Sequence, residues 1–335
     1  MTNLRPIKAD EKIAVAIPTK NRPSYLAVLI ASLLNQTYTN FMIVINDQSD
    51  SSVERDDAIT DLTALARNTG HEVKFIRTEG GWKRHQQAME AVPEQIDIIL
   101  RIDDDMLPDP RFLENILRPF RFFPDRPLAA VGGCNPEPNV KPVNLDVNLA
   151  DSSWTSTLLD PTWRLQGHLY YSDPAVLDVE SLNGGAICYR RSAVEDAGGW
   201  AVEGYSDHAF REENDLCARL LERNYSLMVT TEALAWHLLA PGGGAREFIK
   251  TPRGNYIISD MSGIESDNKL FLERMKLIAA KRGPAPSEPK RYRVSDLEKN
   301  LYKGSPLRTL KGSALKVIER SVLRKLRGLY WYFKK

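Results

Sequence analysis

The chain has 335 residues, 42% hydrophobic and 27% charged, an ordinary globular composition with room for one large domain or two small ones. Three widely spaced cysteines without CxxC spacing argue against a disulfide framework or a zinc cluster, and no stretch approaches the roughly 20 apolar residues of a bilayer span. The net charge of +1 hides an asymmetry: residues 281–335 carry 16 Lys and Arg against 4 Asp and Glu, so an acidic body bears a basic tail suited to an anionic surface.

In chain order, "KIAVAIPTKNRP" predicts a buried strand over Ile13–Ile17, halted by Pro18 and a polar turn. "PSYLAVLIASLLNQ" has helical apolar spacing. "NFMIVINDQSDSS" is a second strand ending in an acidic, serine-rich loop. Residues 56–68 read as a helix, "EVKFIRT" as a third strand, "GWKRHQQAMEAV" as a helix and "DIILRI" as a fourth strand. Helices alternating with Val/Ile-rich runs predict an α/β domain with a mainly parallel sheet and flanking helices. The stretch from Cys134 to Val179 shows no clear period. A strand at Ala186–Tyr189 precedes a short helix closed by Gly198-Gly199. "REENDLCARLLERN" is an amphipathic helix, and "SLMVTTEALAWHL" a last strand carrying His237.

In open α/β sheets ligands bind outside the carboxyl ends of the strands. Three polar loops are expected at that edge: "PTKNRP", "NDQSDSS" and "DDDMLPDP". Three adjacent aspartates at the end of a buried strand repel one another, and desolvating them is costly without a cation nearby. They form either a solvated acidic turn or a divalent-metal site.

"VAIPTKNRP", "INDQSD", "RIDDDMLPDP", "GGAICYRRSAVEDAGGW", "REENDLCARL" and the late "WHL" come in the order found in inverting glycosyltransferases of family 2, which have the GT-A fold. The chain resembles that family from about Lys12 to Leu239. The resemblance implies a GT-A catalytic domain over 1–255, with a basic helical extension over 256–335. It implies transfer of a sugar from a nucleotide-diphosphate donor, a UDP-sugar foremost, to an acceptor hydroxyl, assisted by Mn²⁺ or Mg²⁺.

Residue by residue, the family's D-x-D motif maps to Asp103 and Asp105. Asp105 is assigned to the metal, and Asp103 to the ribose or a metal-bound water. Asp104, at the variable middle position, stays among the donor-binding candidates without an assigned role. His237 would complete the metal shell. Thr19, Asn21 and Arg22 map to the cradle of base and ribose, and Asp47 to the acceptor of a base N–H. Arg84 maps to an arginine reaching donor phosphate or base, with Lys83 its substitute one position away. Gly184 and Gly185 would let backbone approach the donor sugar. Where the family usually shows Glu-Asp this chain has Glu212-Glu213, so Glu213 maps to the general base and Glu212 to the acceptor's holder. The loop from Gly242 to Arg253, with Arg246, Lys250 and Arg253, would close over the diphosphate.

In the tail, Leu315, Ile318, Val322, Leu326, Leu329 and Phe333 share one helical face, with Lys316, Arg320, Arg324 and Arg327 opposite. That profile suits a helix lying on anionic lipid over 308–335, or one packed on protein; nucleic acid has less support. "MTNLRPIKADEK" lacks the apolar core of a signal peptide, so the expected location is cytoplasmic, peripheral on the inner face of the membrane. The expected acceptor is a glycan or lipid-linked glycan of the cell envelope. Two rivals are a sugar nucleotidyltransferase, although "PTKNRP" has no phosphate-loop glycine, and an inactive nucleotide-sugar-binding protein.

Overall fold

The apolar runs that open the chain become a parallel sheet. Strands β1 (Ile13–Thr19), β2 (Phe41–Asp47), β3 (Val73–Arg77) and β4 (Ile98–Ile102) lie in the order β3-β2-β1-β4. Ile13 pairs with Phe41 and Thr19 with Asp47, while Ala14 faces Ile99 on the other side. Every residue of β2 and β4 is buried, as near-continuous Val/Ile runs require when both faces of a sheet are covered.

The structure is a computed structural model and describes residues 4–78, 81–138, 174–182, 184–200, 203–244, 248–250, 256–258, 261–282 and 290–301. The expectations for Arg246, Arg253, the side chain of Lys250, most of 134–180 and the tail 308–335 lie outside them.

Helices α1 (Pro23–Leu34), α2 (Asp57–Asn68) and α3 (Arg84–Glu90) connect these strands. Pro23 opens α1, where its missing N–H costs nothing, and Leu26, Leu29, Ile30 and Leu33 form its buried face. Asp56 caps α2 by accepting from the N–H groups of Ala58 and Ile59. The path runs outward from β1 to β3, then crosses back to β4 on the far side of β1. That reversal opens a crevice between the carboxyl ends of β1 and β4.

The second half of the sheet is mixed. Strand β8 (Ala186–Arg190) lies antiparallel to both β4 and β6 (Leu128–Cys134). Strand β9 (Ser226–His237) runs parallel to β6, and β7 (Ala175–Val179) antiparallel to β9. Strand β12 (Arg291–Arg293) is the edge beside β7. Short strand β5 (Met106–Pro108) pairs with the end of β9, setting Met106 opposite His237. A two-stranded hairpin, β10 (Phe248–Lys250) with β11 (Tyr256–Ile258), stands where the sequence predicts only loop.

Several elements escape the sequence reading. Helix α4 (Phe112–Phe122) carries Pro119 within it, yet buries Phe112, Leu113, Ile116, Leu117 and Phe120 on one face. Strand β6, "LAAVGGC", lacks β-branched bulk because its neighbours press close: a Cβ at Gly133 would lie 2.5 Å from the Ala233 carbonyl oxygen. Helix α5 (Arg191–Asp196) is the expected short one, and α6 (Glu212–Glu222) the expected amphipathic one.

The first compact unit runs from Met1 to Tyr292, past the boundary expected at 255. The cause is α7 (Ser262–Arg282), which packs on α6 and buries Phe271 and Met275. Fully buried Asp215 accepts from Arg219 at 2.8 Å, from Tyr205 at 3.3 Å and from Arg274 of α7. Asp267 of α7 accepts in turn from the N–H groups of Ser206 and Phe210 at 2.6 and 2.8 Å. Helix α8 (Val294–Leu301) belongs to the second unit, Arg293–Lys335. No described helix is long and apolar enough to cross a membrane. Cys134, Cys188 and Cys217 are each buried and unbonded, and burial pushes the Cys134 and Cys217 thiols up to about 12.

Candidate functional site

The crevice between β1 and β4 opens into a cavity of about 400 Å³. Thr19, Arg22, Arg84, Asp103, Asp104, Asp105 and His237, all expected at the site, line it. Strand β4 ends at Ile102 and delivers the three aspartates. The Asp103 N–H donates to the Gly185 carbonyl at 3.0 Å, tying the triplet to the loop before β8. Pairing of β5 with β9 brings His237 beside Asp105 despite the long sequence gap.

Each aspartate has its own surroundings. Asp103, 30% exposed, meets the Arg101 guanidinium at 2.8 Å. Asp104 is buried; it accepts from the Thr19 hydroxyl at 2.8 Å and from Arg22 at 3.1 Å. Burial pushes its carboxyl up to about 7, against the pull of Arg22 and with a further push from Asp105. Burial would also raise Asp105. There, however, His237 at 3.4 Å, Arg22 at 3.5 Å and the Ala240 N–H at 3.0 Å prevail and hold it at about 2. Burial by itself lowers His237, but the Asp105 carboxylate overcomes that and raises it. Arg22 answers the opening problem of crowded charge. It bridges Asp104 and Asp105 and also donates to the Gly242 and Gly243 carbonyls at 2.7 and 3.1 Å.

These shifts set a pH signature for the protein kept in chelator. The folded chain holds a proton on Asp104 up to about pH 7, whereas an unfolded aspartate releases it near pH 3.9. The native state therefore binds more protons in that window, and stability is expected to fall as pH rises from about 4 to about 7. Asp105 acts below it: its contribution is present above about pH 4 and lost as pH falls through about 2. Urea midpoints measured across pH should show the upper slope flattened in Asp104→Asn.

Several of the expected residues have side chains engaged within the protein. The Asp47 carboxylate is fully buried and does not line the cavity; it accepts from the N–H groups of Ser49 and Val53 at 2.9 and 3.0 Å and from Arg77 at 3.2 Å. It shapes the loop after β2 from below. Asn21, in the left-handed region at φ 56°, trades hydrogen bonds with Asp50 and joins the first two loops. Arg84 spends its guanidinium on Glu212 at 2.7 Å and on the carbonyls of Gly81, Asp207 and His208. Buried Glu212 accordingly anchors α6 and does not face the cavity. Gly185 supports the triplet, since a Cβ there would meet the Asn135 side chain at 2.7 Å. Beyond Asp47, the loops after β2 and β3 open a second hollow of about 760 Å³, lined in part by Ser49, Arg77 and Lys83.

Glu213 is half-buried in the first turn of α6, where carboxylates favour the positive end of the helix dipole. Gly184 stands against it: a Cβ on that glycine would lie 2.9 Å from Glu213 Oε1 and 3.4 Å from Arg101 Nη1. Arg101, His208, Gln48 and Lys20 line the cavity, with His85 buried behind Arg101, and the sequence reading misses all five. The sole signal for Arg101 is an arginine inside an otherwise apolar strand, "DIILRI".

Among the described residues no three His, Cys, Asp or Glu side chains are spaced as a ready metal-ligand set. The donor chemistry nonetheless fits a hard or borderline divalent cation. Asp105 and His237 are adjacent, both line the cavity, and Asp103 is the most open of the triplet.

Residues 14–196 match the family model described as Glycosyl transferase family 2. Among solved structures, S. aureus TarS aligns with a TM-score of 0.46 at 17% identity, over 69% of this chain and 37% of that one. This chain thus spans little more than a third of that TarS chain. S. aureus TarS 1-349 in complex with UDP-GlcNAc aligns with a TM-score of 0.50 at 15% identity, over 92% and 75% of the two chains. The mannosyltransferase PcManGT from Pyrobaculum calidifontis, in complex with GDP-Man and Mn2+, gives 0.47 at 15%, over 95% and 87%. At 15% identity the likeness to TarS 1-349 is one of fold. No curated protein matches the chain.

Proposed function

The chain belongs to glycosyl transferase family 2, and we propose that it moves a sugar from a nucleoside-diphosphate sugar to an acceptor hydroxyl, inverting the anomeric carbon with the help of a divalent cation. The observation that carries this reading is the acidic triplet at the crevice between β1 and β4, with His237 on one side and Glu213 near the other.

Asp105 and His237, with Asp103 beside them, would hold the cation, Mn²⁺ or Mg²⁺. When bound, it neutralises charge on the departing diphosphate. Lys20 and Arg22, both lining the cavity, add positive charge where a dianionic group would sit. The loops after β1 and β2 take the nucleoside. Glu213 accepts the proton of the acceptor hydroxyl as that oxygen bonds to the anomeric carbon, and the bond from that carbon to the phosphate oxygen breaks. Attack from the face opposite the leaving group inverts the centre. A cell-envelope glycan or lipid-linked glycan is the proposed acceptor, with the basic segment 308–335 meeting anionic lipid.

A thermal-shift panel of UDP, GDP and their sugar conjugates, each with and without Mn²⁺, tests the reading. Ligand at about 100-fold its Kd stabilises the native state by about 2.7 kcal/mol. A rise in Tm restricted to one base and strengthened by Mn²⁺ is the expected result. Silence across the panel would overturn the assignment.

A further inference from the structure

Arg101 is 7% exposed, yet it lines the cavity. Its Nη2 faces Asp103 Oδ1 at 2.8 Å, and its Nε lies 3.4 Å from Nδ1 of His85. His85 Nε2 lies 3.2 Å from Arg101 Nη2 and 2.9 Å from Glu212 Oε1, so the imidazole lies along the Nε–Nη2 edge of the guanidinium. Two corners of the guanidinium are therefore fixed by neighbours. The third, Nη1, is buried and has no hydrogen-bond partner among the described residues. A buried donor left unpaired is costly, and such groups in native proteins call for an explanation.

The position of Nη1 supplies one. It borders the notch left by the missing Cβ of Gly184, with Glu213 Oε1 on the same notch. On one side stands Asp103, at the diphosphate end; on the other stands the base. A sugar leaving a diphosphate and meeting a hydroxyl held by Glu213 must lie between those two points. We propose that Arg101 is a specificity-determining residue whose Nη1 donates to an acceptor oxygen on the transferred sugar. The donors selected are then those whose sugar carries a hydroxyl, acyl carbonyl or carboxylate oxygen at that edge. A site built to hydrogen-bond such an oxygen strongly disfavours the analogue lacking it, because its donor is then left unpaired. Glycine at 184 keeps the notch open, and alanine would fill it.

The inference rests on the donor reading above, and calorimetric titration of the full-length chain in Mn²⁺ separates the two. The probes are UDP, UDP-GlcNAc, GDP and GDP-mannose, against the unaltered chain, Arg101→Lys and Gly184→Ala, with Tm followed in parallel. Lysine keeps the charge beside Asp103 but loses the fork, while alanine keeps the guanidinium and sets a methyl 3.4 Å from Nη1 and 2.9 Å from Glu213 Oε1. For whichever base binds, the sugar conjugate is expected to lose at least tenfold more affinity than the plain diphosphate in both variants. Equal weakening of diphosphate and conjugate would overturn the inference, as would no weakening of either. Should Arg101→Lys unfold, Gly184→Ala alone decides by the same comparison. An unaltered chain that binds none of the four overturns the donor reading, and this inference with it.

Discussion

Replacing Glu213 by glutamine is expected to lower sugar transfer by about 10²- to 10⁴-fold, the usual share of a positioned general base. Affinity for the nucleoside diphosphate in Mn²⁺ should stay as it was, because Glu213 does not line the cavity of the triplet and faces Gly184 instead. The informative control is its neighbour. Glu212 is held by Arg84 at 2.7 Å and His85 at 2.9 Å, so Glu212→Gln strips the charge from a buried pair and should register chiefly as lost thermal stability. Single-turnover transfer rates set beside melting curves tell the two apart. A variant at 213 that melts early and binds nucleotide poorly would mean that Glu213 is scaffold and Glu212 has been misread.

That pair shows how far sequence alone reaches. The parallel half of the sheet was legible because "IAVAI", "FMIVI" and "DIILRI" are continuous apolar runs, and such runs fit a sheet covered on both faces. The cavity residues Thr19, Arg22, Asp103, Asp104, Asp105 and His237 were legible through the resemblance, whose motifs fall at these strand ends. Other features were hidden for physical reasons. Strand β6 has two alanines and two glycines among its seven residues, with Gly133 pressed against the Ala233 backbone, so it offers little β-propensity signal. Asp47, Arg84 and Glu212 map to ligand contacts by resemblance and are engaged in local hydrogen bonds, Arg84 while also lining the cavity, and a motif does not reveal where a side chain's partners are. Arg101 was invisible for the opposite reason. A charged residue in a buried strand gains meaning once His85 and Asp103 are seen to lock two of its corners and leave the third.

Asp105→Asn is expected to abolish the part of nucleotide-induced stabilisation that depends on Mn²⁺, and to cut transfer by about 10³-fold or more. A Lewis-acidic cation supplies several kcal/mol of charge stabilisation, and each 1.36 kcal/mol is a factor of ten in rate. Asp105 is singled out among the three acids by its surroundings. Asp104, pushed up to about 7, is engaged with Thr19 and Arg22, and Asp103 is turned toward Arg101. Asp105, held at about 2, keeps its negative charge at every pH where the protein would work and has the imidazole of His237 3.4 Å away. The amide preserves the shape and can still accept the Ala240 N–H, so the loss reads as charge and not as packing. The check pairs the variant with chelation. EDTA should bring the unaltered chain down to the level of Asp105→Asn in both melting shift and turnover, and should leave the variant itself unmoved. A variant that still responds to Mn²⁺ as the unaltered chain does would remove Asp105 from the cation's shell. Arg22, already bridging Asp104 and Asp105, would then be the permanent positive charge that the triplet was built to hold.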